Sequence, residues 1–308
     1  MGAYVVRRLM WTPVLLIAVS LMTFTLGRFG PGDPVQIWMG QYNNPEVAER
    51  LRQQYGLDRP FFVQYGIYVK DALQGDLGES FQYRGRGVSE LLKSRMWISL
   101  QLNVAAMIIA VGLGVPLGFF TALKQGTWLD TATVSVTLLF MSVPVFLTAP
   151  GMLIIFALWL DLLPTHGWGG FFDQRIIMPA LVMGIPGVAF LTRLTRASTL
   201  EVLSQEYVRT ARAKGLNEFA VGHRHILRNA LIPIFTMLGL SLATLMTGTF
   251  IVEGFFGIPG MGRLAIESFF ARDYPIIMAL TLIIAAAFVL ANLLVDIGYR
   301  FIDPRIRY

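Results

Sequence analysis

The sequence predicts an all-α protein that crosses a membrane six times, and two observations support this prediction: its composition and the placement of its charges. Of the 308 residues, 55% are hydrophobic and 14% are charged, whereas an average soluble domain has about 25% charged residues. Six stretches contain no charged residue: 9–27, 96–123, 131–160, 176–192, 229–252 and 274–295. About 20 apolar residues are enough for a helix to cross the hydrocarbon core, so each stretch is a candidate span.

The distribution of lysine and arginine predicts that both termini lie in the cytoplasm. Arg7 and Arg8 precede the first span, and positive residues accumulate on the cytoplasmic side of membrane proteins. Six spans then leave three basic residues, Arg175, Arg263 and Arg272, in the short outer loops, against thirteen in the short cytoplasmic segments. Topology therefore accounts for the net charge of +6, which in a soluble protein could indicate nucleic-acid binding.

The first span is expected to be retained as an anchor. It is longer than the apolar region of a secretory signal, and no small-x-small cleavage site precedes residues 27–30. The chain has no cysteine, which excludes disulfides, thiolate metal sites and cysteine nucleophiles. We expect three regions: 1–27 with the first span, an extracytoplasmic segment at 28–95, and a transmembrane core at 96–308 that includes a cytoplasmic loop at 197–228.

The extracytoplasmic segment carries signals for two helices. Asn44 is a suitable N-cap before Pro45, and a helix with Val47, Leu51 and Tyr55 on one face is expected to stop at Gly56. A second helix is expected from Pro60 to Leu73, before Gly75. The segment could be a docking cap for a partner or a lid over the spans.

Proline and glycine are expected to bend the spans and to let them approach closely. Gly114 and Gly118 form a small-xxx-small pair, a pattern that favours helix contact in membranes. Such residues are also simply more frequent in membrane helices than in soluble ones. The prolines expected to interrupt helices are Pro116, Pro144, Pro150 and Pro186.

Ionisable residues are missing from the middle of the predicted spans. Glu253 and Asp296 fall at span ends, and all three histidines, His166, His223 and His225, fall in loops. An ion-coupled carrier usually keeps such groups at mid-membrane, and an intramembrane enzyme would need a nucleophile or a metal cluster there. We therefore expect the energy for transport to come from outside the spans.

The basic loop between the fourth and fifth spans has the pattern of two helices joined by a glycine elbow. Leu200, Leu203, Tyr207, Val208 and Ala211 fall on one side of a first helix, which is expected to end near Lys214 and Gly215. Asn217 is expected to cap a second helix that continues through Phe219, Val221 and Ile226. A helix-turn-helix reader of DNA is disfavoured by the nearby spans. A solvated loop and a docking knob remain, and the small residues at 211, 213 and 215 favour the knob.

Two strings in this loop, EYVRTARAKGL at 206–216 and RHILRNALIP at 224–233, resemble the coupling loop of permease subunits from binding-protein-dependent ABC importers. The resemblance is to the oligopeptide, dipeptide and nickel branch, and specifically to its B-type subunit. Further matching strings extend over almost the whole chain. They are RRL at 7–9, PGDPV at 31–35, YGLDRPFFVQY at 55–65, GDLGES at 75–80, GVPLGF at 114–119, VEGFFGIPGMGRL at 252–264, ARDYP at 271–275, NLLVD at 292–296 and DPRIR at 303–307.

This resemblance implies a type I ABC importer permease fold in a bacterial or archaeal plasma membrane. It implies a second, homologous permease chain, two ATPase subunits that bind ATP and magnesium, and an extracytoplasmic solute-binding protein. Peptides are the implied cargo, with nickel chelates or oligosaccharides as alternatives. The implied docking residues for the ATPase are Gly215 and Ala211, followed by Arg209, Arg212, Glu206, Tyr207 and Lys214.

The loop departs from the wider superfamily pattern of Glu-Ala-Ala, three residues and Gly. Arg209 stands at the glutamate position and Thr210 replaces an alanine, while Ala211 and Gly215 match. Arg228 stands where the wider pattern has a proline.

The chain lacks the GxxxxGK[ST] sequence of a phosphate-binding loop. The glycines at 254, 257, 260 and 262 are not followed by the required lysine, and we interpret them as a turn-rich re-entrant or surface element beside the transport path. We therefore expect this subunit to hydrolyse no ATP itself and to hold no cofactor of its own.

Overall fold

The computed structural model describes residues 2–30, 35, 39, 44–54 and 56–302, and the regular elements in these ranges are helical. We number the α-helices of six or more residues in chain order and leave the π-helical and 3₁₀ turns unnumbered. They are α1 Gly2–Phe29, α2 Pro45–Gln54, α3 Phe61–Leu73, α4 Val88–Leu123, α5 Trp128–Ser142, α6 Val145–Met152, α7 Ile177–Leu203, α8 Glu206–Ala213, α9 Ile232–Ser241, α10 Phe250–Phe255, α11 Met261–Ala271 and α12 Tyr274–Ile302.

Four helices of the described chain are long and apolar enough to cross a membrane: the apolar parts of α1, α4, α7 and α12. A fifth crossing is possible if α5 and the helical stretch Val145–Trp159 form one span, although they are bent by 97°. The stretch 229–252 is not one helix, because α9 ends at Ser241 and Gly248, before α10, takes a φ of +70°. The predicted all-α class with long apolar helices is thus confirmed for the described residues, whereas the count of six spans is not.

The four prolines affect their helices differently. Pro144 lies at the bend between α5 and α6, and Pro150 lies inside α6, just before a π-helical turn at Leu153–Trp159. Pro116 and Pro186 lie inside α4 and α7, which continue past them. The prediction that Pro116 and Pro186 interrupt their helices is therefore wrong. Glycines on either side of each proline allow α4 and α7 to approach each other closely.

The contact between α4 and α7 is a seam of small residues. A Cβ atom on Gly114 would lie 2.8 Å from Leu191 Cβ, and one on Gly118 would lie 2.8 Å from Thr195 Cβ and closer still to the carbonyl oxygen of Thr192. Backbone atoms cannot move away as a flexible side chain can. Gly114 and Gly118 therefore permit the close approach that the sequence predicted.

The two helices predicted within residues 28–95 form where the sequence predicts them. Asn44 Oδ1 accepts a hydrogen bond of 3.0 Å from Glu46 N at the start of α2, and Gly56, with a φ of +64°, follows the helix. Pro60 is the N-cap of α3, and Gly75, with a φ of +84°, follows that helix. Tyr55 lies outside the described residues.

Two strings far apart in the sequence meet at a buried aspartate. Ser80 Oγ donates to Asp273 Oδ2 at 2.5 Å, and the backbone N–H of Gln82 donates to the same oxygen at 3.0 Å. Just beyond, Val88 and Leu92 pack in one apolar cluster with Leu264 and other residues of α11 and α12. The segment before α4 is therefore clamped to the junction of α11 and α12.

We predict that Gly118→Ala weakens the fold, because the added methyl group would overlap the backbone of Thr192. Overpacking of this kind costs about 1–3 kcal/mol. Gly112→Ala is the matched control: it lies in the same helix, and a Cβ there has nothing within 4 Å. Thermal unfolding of the purified protein in detergent measures the difference, and equal melting temperatures for the two variants would contradict the prediction.

Candidate functional site at the elbow between α7 and α9

The elbow, which we define as residues 204–230, consists of α8, a glycine turn and a second helical arm. The arm runs through Glu218–Ala220, a π-helical turn at Val221–Leu227 and Arg228–Ala230. Its start is capped as predicted, since the backbone N–H of Ala220 donates to Asn217 Oδ1 at 2.7 Å. The elbow thus has the helix–glycine–helix form that the sequence indicates.

The first helix of this region is divided, which corrects the sequence prediction. Leu200 and Leu203 belong to α7, whereas Tyr207, Val208 and Ala211 belong to α8. The break lies at Ser204 and Gln205: Ser204 Oγ donates back to Glu201 O at 2.7 Å, and Gln205 is extended, with a ψ of 142°. Serine readily competes for helix carbonyls in this way, so α8 can point in its own direction.

The glycine turn depends on Gly215. This residue has a φ of +77°, a conformation that side chains disfavour and that commonly ends helices. Its backbone N–H donates to Arg212 O at 2.9 Å, and that of Leu216 donates to Ala211 O at 3.4 Å. A Cβ on Gly215 would meet nothing within 4 Å, so the space beside this residue is open.

The inner side of the elbow is an apolar cluster. Val208 is fully buried and Ala211 is 5% exposed. They pack with Val221 and Ile226 of the second arm and with neighbouring residues of α7. The structure therefore places Ala211 among the residues that hold α8 against the second arm.

The outer side carries the other predicted docking residues, all of them exposed: Glu206, Tyr207, Arg209, Arg212, Lys214 and Gly215. Arg209 Nη1 lies 3.2 Å from Glu206 Oε1 in a solvent-exposed ion pair, and such a pair stabilises a helix by well under about 1 kcal/mol. These charges therefore contribute little to the fold and remain available at the surface.

Sequence reasoning missed two features of this surface. Arg212 makes two hydrogen bonds, of 3.0 and 3.2 Å, to the carboxylate of Glu218 and so joins α8 to the second arm. Phe219 is 83% exposed, and its ring stacks on that of His223 with 6.2 Å between centroids. Opposite charges on either side of a glycine turn are a signal that could have identified the ion pair.

The elbow is attached to the long helices at several points. Ser198 Oγ in α7 donates to Ala230 O at 2.9 Å, which ties the second arm to α7. Close by on α7, Arg196 makes two hydrogen bonds, of 2.7 and 2.8 Å, to Asp130 at the start of α5. These hydrogen bonds connect the elbow to α7 and, through Arg196, α7 to α5.

The glycine-rich stretch near the other end of α4 surrounds a buried carboxylate. Glu253 is fully buried; it accepts hydrogen bonds from Ser99 Oγ in α4 at 2.7 Å and from Arg263 N at 2.8 Å. A Cβ on Gly248 or Gly260 would lie 2.5 Å from this carboxylate. These two glycines are thus required by Glu253, and the stretch is buried at Gly260 and Gly262 but exposed at Gly254.

Comparison with known proteins identifies the family. Residues 114–308 match the model of the family described as binding-protein-dependent transport system inner membrane component. Residues 1–91 match the N-terminal family of the same membrane components. The chain belongs to this family: it is a permease subunit of a binding-protein-dependent ABC importer, and ATP hydrolysis in such importers belongs to separate subunits.

Curated relatives match over the full length of the chain. A probable peptide ABC transporter permease from Sinorhizobium fredii is 37% identical over 100% of both chains. The glutathione transport system permease protein GsiC of Escherichia coli O6:H1 is 41% identical over 99% of both chains. These relatives place the chain in the peptide and nickel branch, as the strings in the sequence indicated.

Solved structures support the fold. The MetNI methionine ABC transporter in an inward-facing conformation matches with a TM-score of 0.56 at 16% identity, covering 69% of this chain and 96% of that chain. An amino acid ABC transporter crystallised with histidines matches with a TM-score of 0.51 at 18% identity, covering 69% and 94% of the two chains.

We predict that Glu253→Gln weakens the fold, because either orientation of the amide would direct its NH₂ group at an N–H or O–H donor. An unsatisfied buried donor costs about 1–3 kcal/mol. The control is Glu90→Gln, which changes an exposed residue of α4. Thermal unfolding measures both variants, and a stability of Glu253→Gln equal to that of the control would show that the carboxylate is not needed.

Proposed function

We propose that the elbow is the surface through which this permease receives the work of ATP hydrolysis, by docking an ATPase subunit. The observation that carries the proposal is the open space at Gly215, beside an exposed ring of charged side chains and the protruding Phe219. A bulky partner can approach the backbone there without displacing any described residue. The predicted docking residues keep this role, except that we assign Ala211 to holding α8 in place.

The proposed assembly contains this chain, a second homologous permease chain, two ATPase subunits and an extracytoplasmic solute-binding protein. The two permease chains would form the transport path, and the ATPases would bind ATP and magnesium. Both termini of this chain and the elbow would face the cytoplasm, in agreement with the excess of Lys and Arg in the segments on that side.

The proposed cargo is a small peptide. The names of the full-length relatives, a probable peptide permease and a glutathione permease, support this class over nickel chelates and oligosaccharides. Mass spectrometry of the solute that co-purifies with the associated binding protein tests the cargo separately from the docking surface.

Gly215→Trp is predicted to abolish uptake and substrate-stimulated ATP hydrolysis while the protein still inserts into the membrane, because the indole would hold the ATPase away. Gly126→Trp is a matched control: Gly126 also has a φ of +77° and no neighbours within 4 Å of a Cβ. Both variants therefore carry the same backbone strain, of about 1–2 kcal/mol. Normal uptake by Gly215→Trp, or equal losses in both variants, would remove the docking proposal.

Variants of the Arg212–Glu218 ion pair distinguish two roles for these side chains. They could set the angle between the two arms of the elbow, or they could contact the ATPase directly. Glu218→Arg places two positive side chains together, and we predict reduced uptake and reduced stimulation of the ATPase. Exchanging the charges, with Arg212→Glu and Glu218→Arg together, should restore uptake if the pair sets the angle between the two arms. If the exchange fails to restore uptake while Glu218→Arg alone is defective, these side chains contact the partner directly.

A further inference from the structure

The extracytoplasmic helix α3 packs on α1 through aromatic rings. The ring of Phe24 in α1 lies 5.5 Å from those of Phe61 and Tyr65 and 5.4 Å from that of Tyr68, measured between centroids. The Tyr65 hydroxyl lies 2.8 Å from Ser20 Oγ. Aromatic pairs at these distances are favourable, so α3 is held firmly against the first span.

This contact places α3 beside the apolar part of α1. The apolar part of α1 ends at Phe29, and Arg28 next to it donates to Leu57 O at 2.7 Å in the segment before α3. Phe24 lies five residues before Phe29, which at 1.5 Å per residue corresponds to about 7 Å. Measured from Phe29, the Phe24 contact falls within the range of about 5–10 Å at which helices in a membrane surface insert, and the Tyr65 hydroxyl reaches deeper along α1, to Ile17 O at 3.2 Å.

The side of α3 that faces away from α1 is exposed and mostly apolar, with the exposed Lys70 near its C-terminal end. Phe62 is 78% exposed, Leu73 84% and Val63 46%. The helix contains no charged residue before Lys70. Four large apolar residues on one short helix, with Ile67 as the fourth, are costly to leave in water.

The exposed residues of α1 next to α3 indicate what surrounds the outer side of α3. Met22, Leu26 and Phe29 of α1 are 59% to 73% exposed, and in a membrane span such residues meet lipid tails. Among the described elements, α12 and α3 make the main contacts with α1, so α1 lies at the edge of the bundle. The apolar face of α3 continues this lipid-facing surface.

We propose that α3 is an interfacial helix that lies in the membrane surface at the C-terminal end of α1, with its outer face among phospholipid acyl chains. In the orientation of the proposed function this is the outer leaflet. The extracytoplasmic segment is then anchored at α3, and α2, whose Arg52 and Glu49 form an exposed ion pair, lies on its aqueous side. The proposal rests on the membrane location of the chain and is independent of docking at the elbow.

The absence of native cysteine permits a direct test with single-cysteine variants of the full-length chain, expressed with its partner subunits in native membranes. We predict that Phe62→Cys and Ile67→Cys react with a membrane-impermeant maleimide about tenfold more slowly than Val47→Cys on α2, since burial in lipid keeps the thiol from water. Leu26→Cys on α1 is the lipid-facing control. Labelling of Phe62→Cys as fast as Val47→Cys would overturn the proposal.

A second measurement distinguishes lipid from a covering protein. A fluorophore at position 62 should be quenched by nitroxide-labelled lipids in reconstituted vesicles, and more strongly by a shallow than by a deep label. Protection from maleimide without quenching by lipid would mean that a protein covers α3, which also overturns the proposal. Labelling of Val47→Cys from the cytoplasmic side alone would instead contradict the orientation in the proposed function.

Discussion

The close packing of α4 on α7 is the contact on which the elbow and the buried turn around Glu253 both depend. Gly118 faces the backbone of Thr192 and the side chain of Thr195, so the helices meet through atoms that cannot adapt their shape. Near its other end, α4 carries Ser99, which bonds to Glu253, and α7 leads into the elbow. The two helices therefore form a stiff pair that joins the elbow to the glycine-rich turn. A stiff pair transmits a displacement over its length, because packed interiors have little free volume to absorb it.

Local signals in the sequence were sufficient for the helix ends. Asn44 and Asn217 cap helices, and Gly56, Gly75 and Gly215 follow them with positive φ, as expected, because each depends on residues a few positions away. The effect of proline was predicted less well. Pro144 coincides with a bend, while Pro116 and Pro186 lie in continuous helices that pack against each other through neighbouring glycines.

Long-range contacts could not be predicted from one sequence. The bond between Ser80 and Asp273 joins residues 193 positions apart, and no periodicity or motif in either segment indicates its partner. The same holds for α3, whose sequence predicts a helix but not its position beside Phe24. For the elbow, the sequence predicts the turn and the charged surface. The inward position of Ala211 depends on how α8 folds back on the second arm.

The hydrogen bonds from Ser80 and Gln82 to Asp273 restrict how parts of this protein can be exchanged between homologues during evolution. The two family matches, 1–91 and 114–308, divide the chain into modules, yet Ser80 and Gln82 of the first module donate to a carboxylate that belongs to the second. A recombinant in which one module is exchanged for that of a distant homologue would keep this junction only if both sides retained complementary groups. The modules are thus expected to be inherited as a unit. The residues that separate them, 92–113, lie entirely within α4.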